Sequence, residues 1–200
     1  MSDARPWSEA CERNKAPIAE VLADYLRPGG RLLEIGSGTG QHAVHIAAAH
    51  PGVRWLTSDL PANHTGILAW LAQAALPNVE APLALDTRDH PWPLGAPVDL
   101  LFSANTAHIM GWDGVCGLFQ GAGQWLQRGG KMLIYGPFSF GGRHVSESNS
   151  RFDAALRARD PAMGVRDMED LEAQAAQAGL APHRLHRMPA NNFIVVWQRC

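Results

Sequence analysis

Apolar and polar residues follow two periods along this chain, and the switch between them marks its elements. Stretches of strand length and pattern occur at residues 31–35, 53–57, 82–85, 98–103, 131–135, 183–188 and 193–198, that at 98–103 nearly all apolar. Elsewhere apolar residues recur at helical spacing, as in Ile18, Val21, Leu22, Tyr25 and Leu26. That face predicts a helix with Pro17 in its first turn, ended by Pro28-Gly29-Gly30. Further helices are predicted over 41–50, with Ala43, Ile46 and Ala47 inward, and over 61–75, 112–126, 150–159 and 167–178. Gly179 is the stop of the last. Strands alternating with helices predict an α/β fold built on a mostly parallel sheet. The last two runs, joined by Pro189-Ala190-Asn191-Asn192, predict an antiparallel hairpin that completes seven strands, with helices on both faces.

Between the elements, residues 1–14 read as an irregular polar segment. His90-Pro91-Trp92-Pro93 reads as a loop, 136–142 as a flexible turn and 144–149 as a polar loop. Gly114, Gly117, Gly121 and Gly123 fall inside one predicted helix. Each weakens it by about 1 kcal/mol relative to Ala, which implies either close backbone packing or looseness.

Length and composition narrow the class. Two hundred residues, 46% apolar, suit one α/β domain spanning 1–200. Lys and Arg number 17 against 19 Asp and Glu, a net charge of −2. This opposes a general nucleic-acid binder, which needs a basic face. The three cysteines are far apart with no C-x-x-C spacing, so neither a zinc site nor a disulfide framework is expected. The N-terminus lacks an apolar leader and no run reaches membrane-spanning length. A cytoplasmic protein without membrane contact, or bound metal, is expected.

The stretch Glu34-Ile35-Gly36-Ser37-Gly38-Thr39-Gly40 carries the candidate chemistry. It reads as a strand entering a glycine turn and then a helix, whose unpaired N–H groups face a ligand. A dinucleotide fingerprint would place its third glycine at 41, where this chain has Gln. Asp59 follows the second strand about 20 residues on, where a carboxylate can accept from both ribose hydroxyls. It can equally cap the helix that Pro61 opens. Asp86-Thr87 stands at the end of the third strand, where an Asx turn is the alternative to ligand binding.

The acid-x-Gly-x-Gly-x-Gly pattern resembles the first motif of class I methyltransferases that use S-adenosylmethionine (SAM). Several further motifs extend this likeness: Glu12-Arg13-Asn14-Lys15, Ser103-Ala104-Asn105-Thr106-Ala107-His108, Tyr135-Gly136-Pro137-Phe138, Glu147-Ser148-Asn149, Gly164-Val165-Arg166-Asp167 and Met188-Pro189-Ala190-Asn191-Asn192. Together with the glycine turn they resemble the family of methyltransferase-like protein 26 and its bacterial relatives, over residues 7–198. The resemblance implies a Rossmann-like class I methyltransferase fold with SAM as cofactor. It implies a cofactor site drawn from Arg13, Asn14, Glu34, Gly36, Ser37, Gly38, Thr39, Gly40, Asp59, Leu60, Asp86, Thr87 and Asn105. In that pattern Asp86 accepts from the adenine amino group and the Thr87 N–H donates to the ring. Trp92 either packs on the adenine or plugs the core. The resemblance supplies no substrate.

Methyl transfer needs positioning and, for a protonated acceptor, a base. His108, at the end of the fourth strand and able to titrate near neutrality, is the first candidate. His144 and Tyr135 follow. Polar residues at Arg143, Glu147, Asn149, Arg166, Asp167, Asn191 and Asn192 suit a lid over 136–166 and a polar small-molecule acceptor with a reactive O, N or S. A homodimer is the one protein partnership expected. Two other readings stand beside this one: a SAM-binding sensor or partner subunit without catalysis, and a nicotinamide-dependent oxidoreductase.

Overall fold

The computed structural model describes residues 5–200; of the irregular segment expected over 1–14, residues 1–4 lie outside the described residues. In chain order the elements are α1 (Glu9–Ala23), β1 (Arg31–Ile35), α2 (Gln41–Ala49), β2 (Arg54–Asp59), a 3-10 turn at Pro61–Asn63, α3 (His64–Ala74), β3 (Val79–Ala84) and β4 (Val98–Ala104). They continue as α4 (Trp112–Trp125), β5 (Leu126–Gly136), β6 (Phe138–Phe140), β7 (Arg143–His144), α5 (Glu147–Arg159), β8 (Arg166–Asp167), α6 (Met168–Gln177), β9 (Leu180–Met188) and β10 (Asn192–Arg199). Seven strands form one sheet in the order β3-β2-β1-β4-β5-β10-β9. The first five run parallel, and β10 lies antiparallel to both β5 and β9. The strand order reverses between β1 and β4, which opens a crevice at their carboxyl ends.

Alternate residues of the central strands feed two cores. Leu33, Ile35, Leu101, Met132 and Ile134 pack with Val115, Leu118 and Phe119 of α4 and Leu171 of α6. Leu32, Phe102, Leu133 and Ile194 pack with Ile18 and Leu22 of α1 and Ile46 of α2. Fully burying a residue of this size contributes roughly 1.5–3 kcal/mol, so the sheet is fixed from both faces.

Several expected boundaries move. The α1 helix begins at Glu9 rather than near Pro17, because Ser8 caps it by accepting from the Cys11 N–H, and Glu9 and Glu12 favour its first turn. Pro17 is therefore internal to the helix. The β2 strand runs one turn of pleat further than expected, making Asp59 its last residue. The 136–149 stretch is ordered by a second, three-stranded sheet β7-β6-β8 and by α5, which Ser146 caps three residues earlier than predicted. The glycines of α4 mark close packing. A Cβ at Gly117 would stand 2.1 Å from the Thr87 carbonyl oxygen, and one at Gly121 would stand 2.0 Å from the Trp92 ring. Trp92 is accordingly a core residue, 1% exposed.

Candidate functional site

Two adjoining hollows lie at the carboxyl ends of β1, β2 and β4. The larger, about 510 Å³, is lined by Gly36, Ser37, Gly38, Thr39, Asp59 and Asn105 from the expected set, with Ser8, Cys11 and His42 from α1 and α2. The smaller, about 300 Å³, is lined by Leu60, Asp86 and Thr87 together with Leu85, Ile109, Met110 and Gly114. Gly36, Asp59, Asn63, Thr106 and Ile109 belong to both, so they form one cleft with a polar lobe and a more apolar one.

The turn is built by backbone donors. The N–H groups of Gly36 and Ser37 both donate to the Ser58 carbonyl, at 3.0 and 2.9 Å. Gly36 has φ +71, and a Cβ there would meet Thr106 Oγ1 at 2.6 Å. Gly38 has φ +59 and faces open space. Only glycine allows both the backbone sign and the clearance.

Asp59, 8% exposed, joins the lobes. Its Oδ2 accepts from the Gly38 N–H at 2.7 Å, and its Oδ1 accepts from the Leu60 N–H and from Asn63 Nδ2, both at 2.7 Å. These bonds fix the carboxylate at the edge of both hollows. Asp59 thus braces the start of the following turn and lines the cleft. Asp86 is paired with Arg88 (2.6 Å), which also lines the apolar lobe. That pair and the hydrogen bonds within it hold the Asp86 carboxyl below the usual range.

Other expected residues lie around the cleft rather than in its wall. Glu34 is buried beneath the turn, accepting from Ser37 Oγ at 2.9 Å and Trp55 Nε1 at 3.0 Å. Burial raises its carboxyl to about 7 against those two bonds, which lower it. Gly40 is the N-cap of α2 and packs on Ile67. Asn14 sits behind His42, with Oδ1 2.8 Å from His42 Nε2. Arg13 points outward and pairs with Glu9 at 3.0 Å, away from the cleft.

The three candidate bases line neither lobe. His108 is 5% exposed and stacks edge-on against Phe152 at 5.3 Å. Burial, with the nearby Arg166, lowers its imidazole to about 4, which corrects the expectation of titration near neutrality. His144 lies on β7, 3.6 Å from Asp153. Tyr135 is buried at the end of β5.

The polar residues of the expected lid are engaged with one another and with backbone. Arg166, 8% exposed, donates to the carbonyls of Ala107, Met110 and Ala162. Asp167 Oδ2 accepts from Ser139 Oγ and the Gly142 N–H, both at 2.8 Å. Asn149 Nδ2 donates to the Asn191 carbonyl at 3.1 Å.

Two residues to which the sequence assigned no role bear on the polar lobe: His42 lines it, and Gln41 braces the turn beside it. His42 shares the inward face of α2 with Ile46, four residues on, and that spacing was the available signal. Gln41 replaces the dinucleotide glycine with a clamp. Its Oε1 accepts from the Ser8 N–H at 2.7 Å and from Thr39 Oγ1 at 2.9 Å, and its Nε2 donates to Glu12 at 3.1 Å. The start of α1 is thereby fastened over the glycine turn.

A third hollow, about 470 Å³, lies at the opposite ends of the strands between Asp24, Arg27, Asp99, Lys131 and His183. It has no glycine turn, and Asp99 there is occupied by the Arg31 N–H and by Gln127. Among the described residues no cluster of His, Cys, Asp or Glu could hold a metal ion. No helix among them is long and apolar enough to cross a membrane.

A seven-stranded sheet in this order, with a glycine turn after β1 and an acid ending β2, defines the Rossmann-like methyltransferase fold. The chain belongs to the family described as "Protein of unknown function (DUF938)", whose model matches residues 5–199. Solved structures agree on the architecture. An O-methyltransferase family 2 protein from Planctomyces limnophilus, in complex with apigenin, superposes with a TM-score of 0.80 at 18% identity, covering 100% of this chain and 62% of its own. An O-methyltransferase family protein from Burkholderia thailandensis gives 0.79 at 16%, covering 96% and 57%. Human N-acetylserotonin methyltransferase in complex with SAM gives 0.76 at 15%, covering 96% and 53%. The chain spans little more than half the length of these proteins, and at such identities the likeness is one of fold.

Proposed function

We propose that the protein is a SAM-dependent methyltransferase acting on an oxygen, nitrogen or sulfur of a small molecule with a polar reactive end. The observation that carries this reading is the continuous cleft in which the Gly36–Gly40 turn, Asp59 and Asp86 meet at three adjacent strand ends. Its parts fit the cofactor. The open space above Gly38 admits an amino-acid tail, Asp59 can accept from ribose hydroxyls, and Leu60, Ile109 and Met110 offer apolar contact to a purine beside Asp86 and the Thr87 N–H. Structural neighbours that are O-methyltransferases or SAM-bound methyltransferases support the same choice. So does the motif likeness to methyltransferase-like protein 26.

SAM supplies a methyl group made electrophilic by its sulfonium. The residues of the chain orient that group and exclude water, and orientation alone can contribute several kcal/mol. Segment 136–166, standing beside the ends of β4 and β5, is read as a cover for the acceptor within one domain of 1–200. The protein is read as cytoplasmic, with a small molecule as its main partner and a second copy as the protein partner. Calorimetric titration with SAM and S-adenosylhomocysteine tests the reading. Micromolar binding by both is expected, and no heat from either with folded protein would overturn it.

One observation favours a second reading, SAM binding without catalysis: His108, His144 and Tyr135 all lie outside the cleft wall. Radiolabelled SAM incubated with cell extract separates the two. A labelled product that depends on the protein supports transfer; binding with no such product supports a sensor or partner subunit.

A further inference from the structure

The polar lobe poses a problem for the ligand's methionine end. That end carries an ammonium and a carboxylate, yet Asp59 is the one charged residue lining the lobe among those described. Asp59 is already bonded to Gly38, Leu60 and Asn63. Arg13, the cation expected nearby, is turned out to Glu9. Neutral groups must therefore receive the tail.

His42 is the neutral group placed to do so. It is the second residue of α2, directly after the glycine turn, and it lines the lobe while only 7% exposed. Its Nε2 faces Asn14 Oδ1 at 2.8 Å, so this nitrogen carries the proton and Nδ1 carries the lone pair. Among the described residues no hydrogen bond is found at Nδ1, and it is not one of the fully buried unpartnered atoms. The ring is steadied edge-on against Phe102 at 6.1 Å. Behind it lie Asn14, 8% exposed, and Tyr135, 4% exposed, whose hydroxyl is raised by burial and lowered by the neighbouring Asn14 and Asn192 amides. The Asn14–His42 bond thus joins α1 to α2 beneath the lobe. A buried hydrogen bond of this kind fixes the orientation of the ring. Burial keeps the imidazole neutral down to about pH 4, so it remains an acceptor through the physiological range.

We propose that His42 holds the amino group of the bound cofactor's methionine end, accepting one ammonium N–H through Nδ1 while Asn14 keeps Nε2 turned away. This rests on the SAM reading above. It makes His42 a cofactor-binding residue, with Asn14 as the positioning residue behind it.

Calorimetry with three ligands tests it. S-adenosylhomocysteine has the whole tail, decarboxylated SAM keeps the amine alone, and 5′-methylthioadenosine has neither amine nor carboxylate. His42→Gln preserves a donor to Asn14 and removes the Nδ1 acceptor; His42→Asn places an acceptor near Nδ1 and gives up the Nε2 bond. His42→Gln is expected to weaken S-adenosylhomocysteine and decarboxylated SAM by about ten-fold or more and to leave 5′-methylthioadenosine unchanged. His42→Asn should recover part of that loss. An equal loss for all three ligands would mean a structural role and overturn the inference. So would no loss, or a loss confined to S-adenosylhomocysteine, which would assign the contact to the carboxylate. If the unaltered protein binds none of the three, the SAM reading itself fails, and that outcome is separate from the others. Should His42→Gln not fold, Asn14→Ala, which removes the partner that keeps the proton on Nε2, is expected to weaken the two amine-bearing ligands and leave 5′-methylthioadenosine unchanged; an equal loss for all three, or none, would overturn the inference.

Discussion

The glycine-turn region and the 136–167 region both looked like candidate sites in the sequence, and the structure separates them by what their polar groups do. Around Gly36–Gly40 the backbone is pinned from below by Ser58 and Asp59, while Gly38, Thr39 and His42 open onto a cavity. In 136–167 the polar side chains are turned to the chain itself. Arg166 ties three carbonyls together, Asp167 fastens the β6–β7 turn, and Asp153 holds the Val165 N–H at 2.7 Å and Arg157 at 2.9 Å. A polar residue in a loop becomes a candidate for binding only after its hydrogen bonds have been counted.

This contrast can be broken by mutation. The largest effect is expected from Arg166→Met, which leaves three carbonyls without their charged donor. Stability should fall by more than about 3 kcal/mol, read as a lower urea midpoint. The affinity of the remaining folded protein for S-adenosylhomocysteine should be unchanged. A loss of affinity with stability intact would return Arg166 to the site.

Acid tests the buried groups next. His42 and His108 are held at about 4 against 6.5 for a free imidazole. The unfolded chain therefore takes up these protons first, and stability falls as pH drops from 6.5 toward 4, by up to about 3 kcal/mol per imidazole. Glu34 acts in the opposite sense. Its carboxyl, raised from 4.5 to about 7, keeps its proton in the folded state, so stability is lost as pH rises through that window. Glu34→Gln should therefore steepen the acid loss between 4.5 and 6.5, measured as the urea midpoint against pH. An unaltered slope would show that Glu34 does not titrate there.

Asp59→Ala should weaken S-adenosylhomocysteine binding by about ten-fold or more, since a hydrogen bond to a charged group is worth about 1.5–3 kcal/mol. Unchanged affinity in a folded variant would remove Asp59 from the cleft. The smallest effect belongs to Arg13→Ala. Its exposed pair with Glu9 is worth about 0.5 kcal/mol at most, and titration calorimetry should find ligand affinity unaltered.

Most of the sheet was legible because its central strands are long and apolar. Runs such as Val98 to Phe102 have one plausible place, between other strands. The start of α1 was not, because Pro17 resembles a helix start and outweighed the Ser8 cap. The small sheet of β6, β7 and β8 escaped because strands of two or three residues carry no period. At the site, Gly36, Gly38 and Asp59 could be read from spacing along one loop and its neighbouring strand. His108 misled because its position at a strand end says nothing about Phe152 and Arg166 closing over it. His42 was hidden among inward-facing alanines, where its partner Asn14 is 28 positions away.

The glycines of α4 bear on how this chain can vary. At Gly117 and Gly121 the neighbours are a main-chain carbonyl and an indole ring, and neither can retreat without reshaping the crossover that presents Asp86 and Thr87. The helix with the weakest intrinsic tendency to form is thus the one least able to accept a substitution. In a saturation library these two positions should tolerate no other residue, while the solvent face of α5 accepts many.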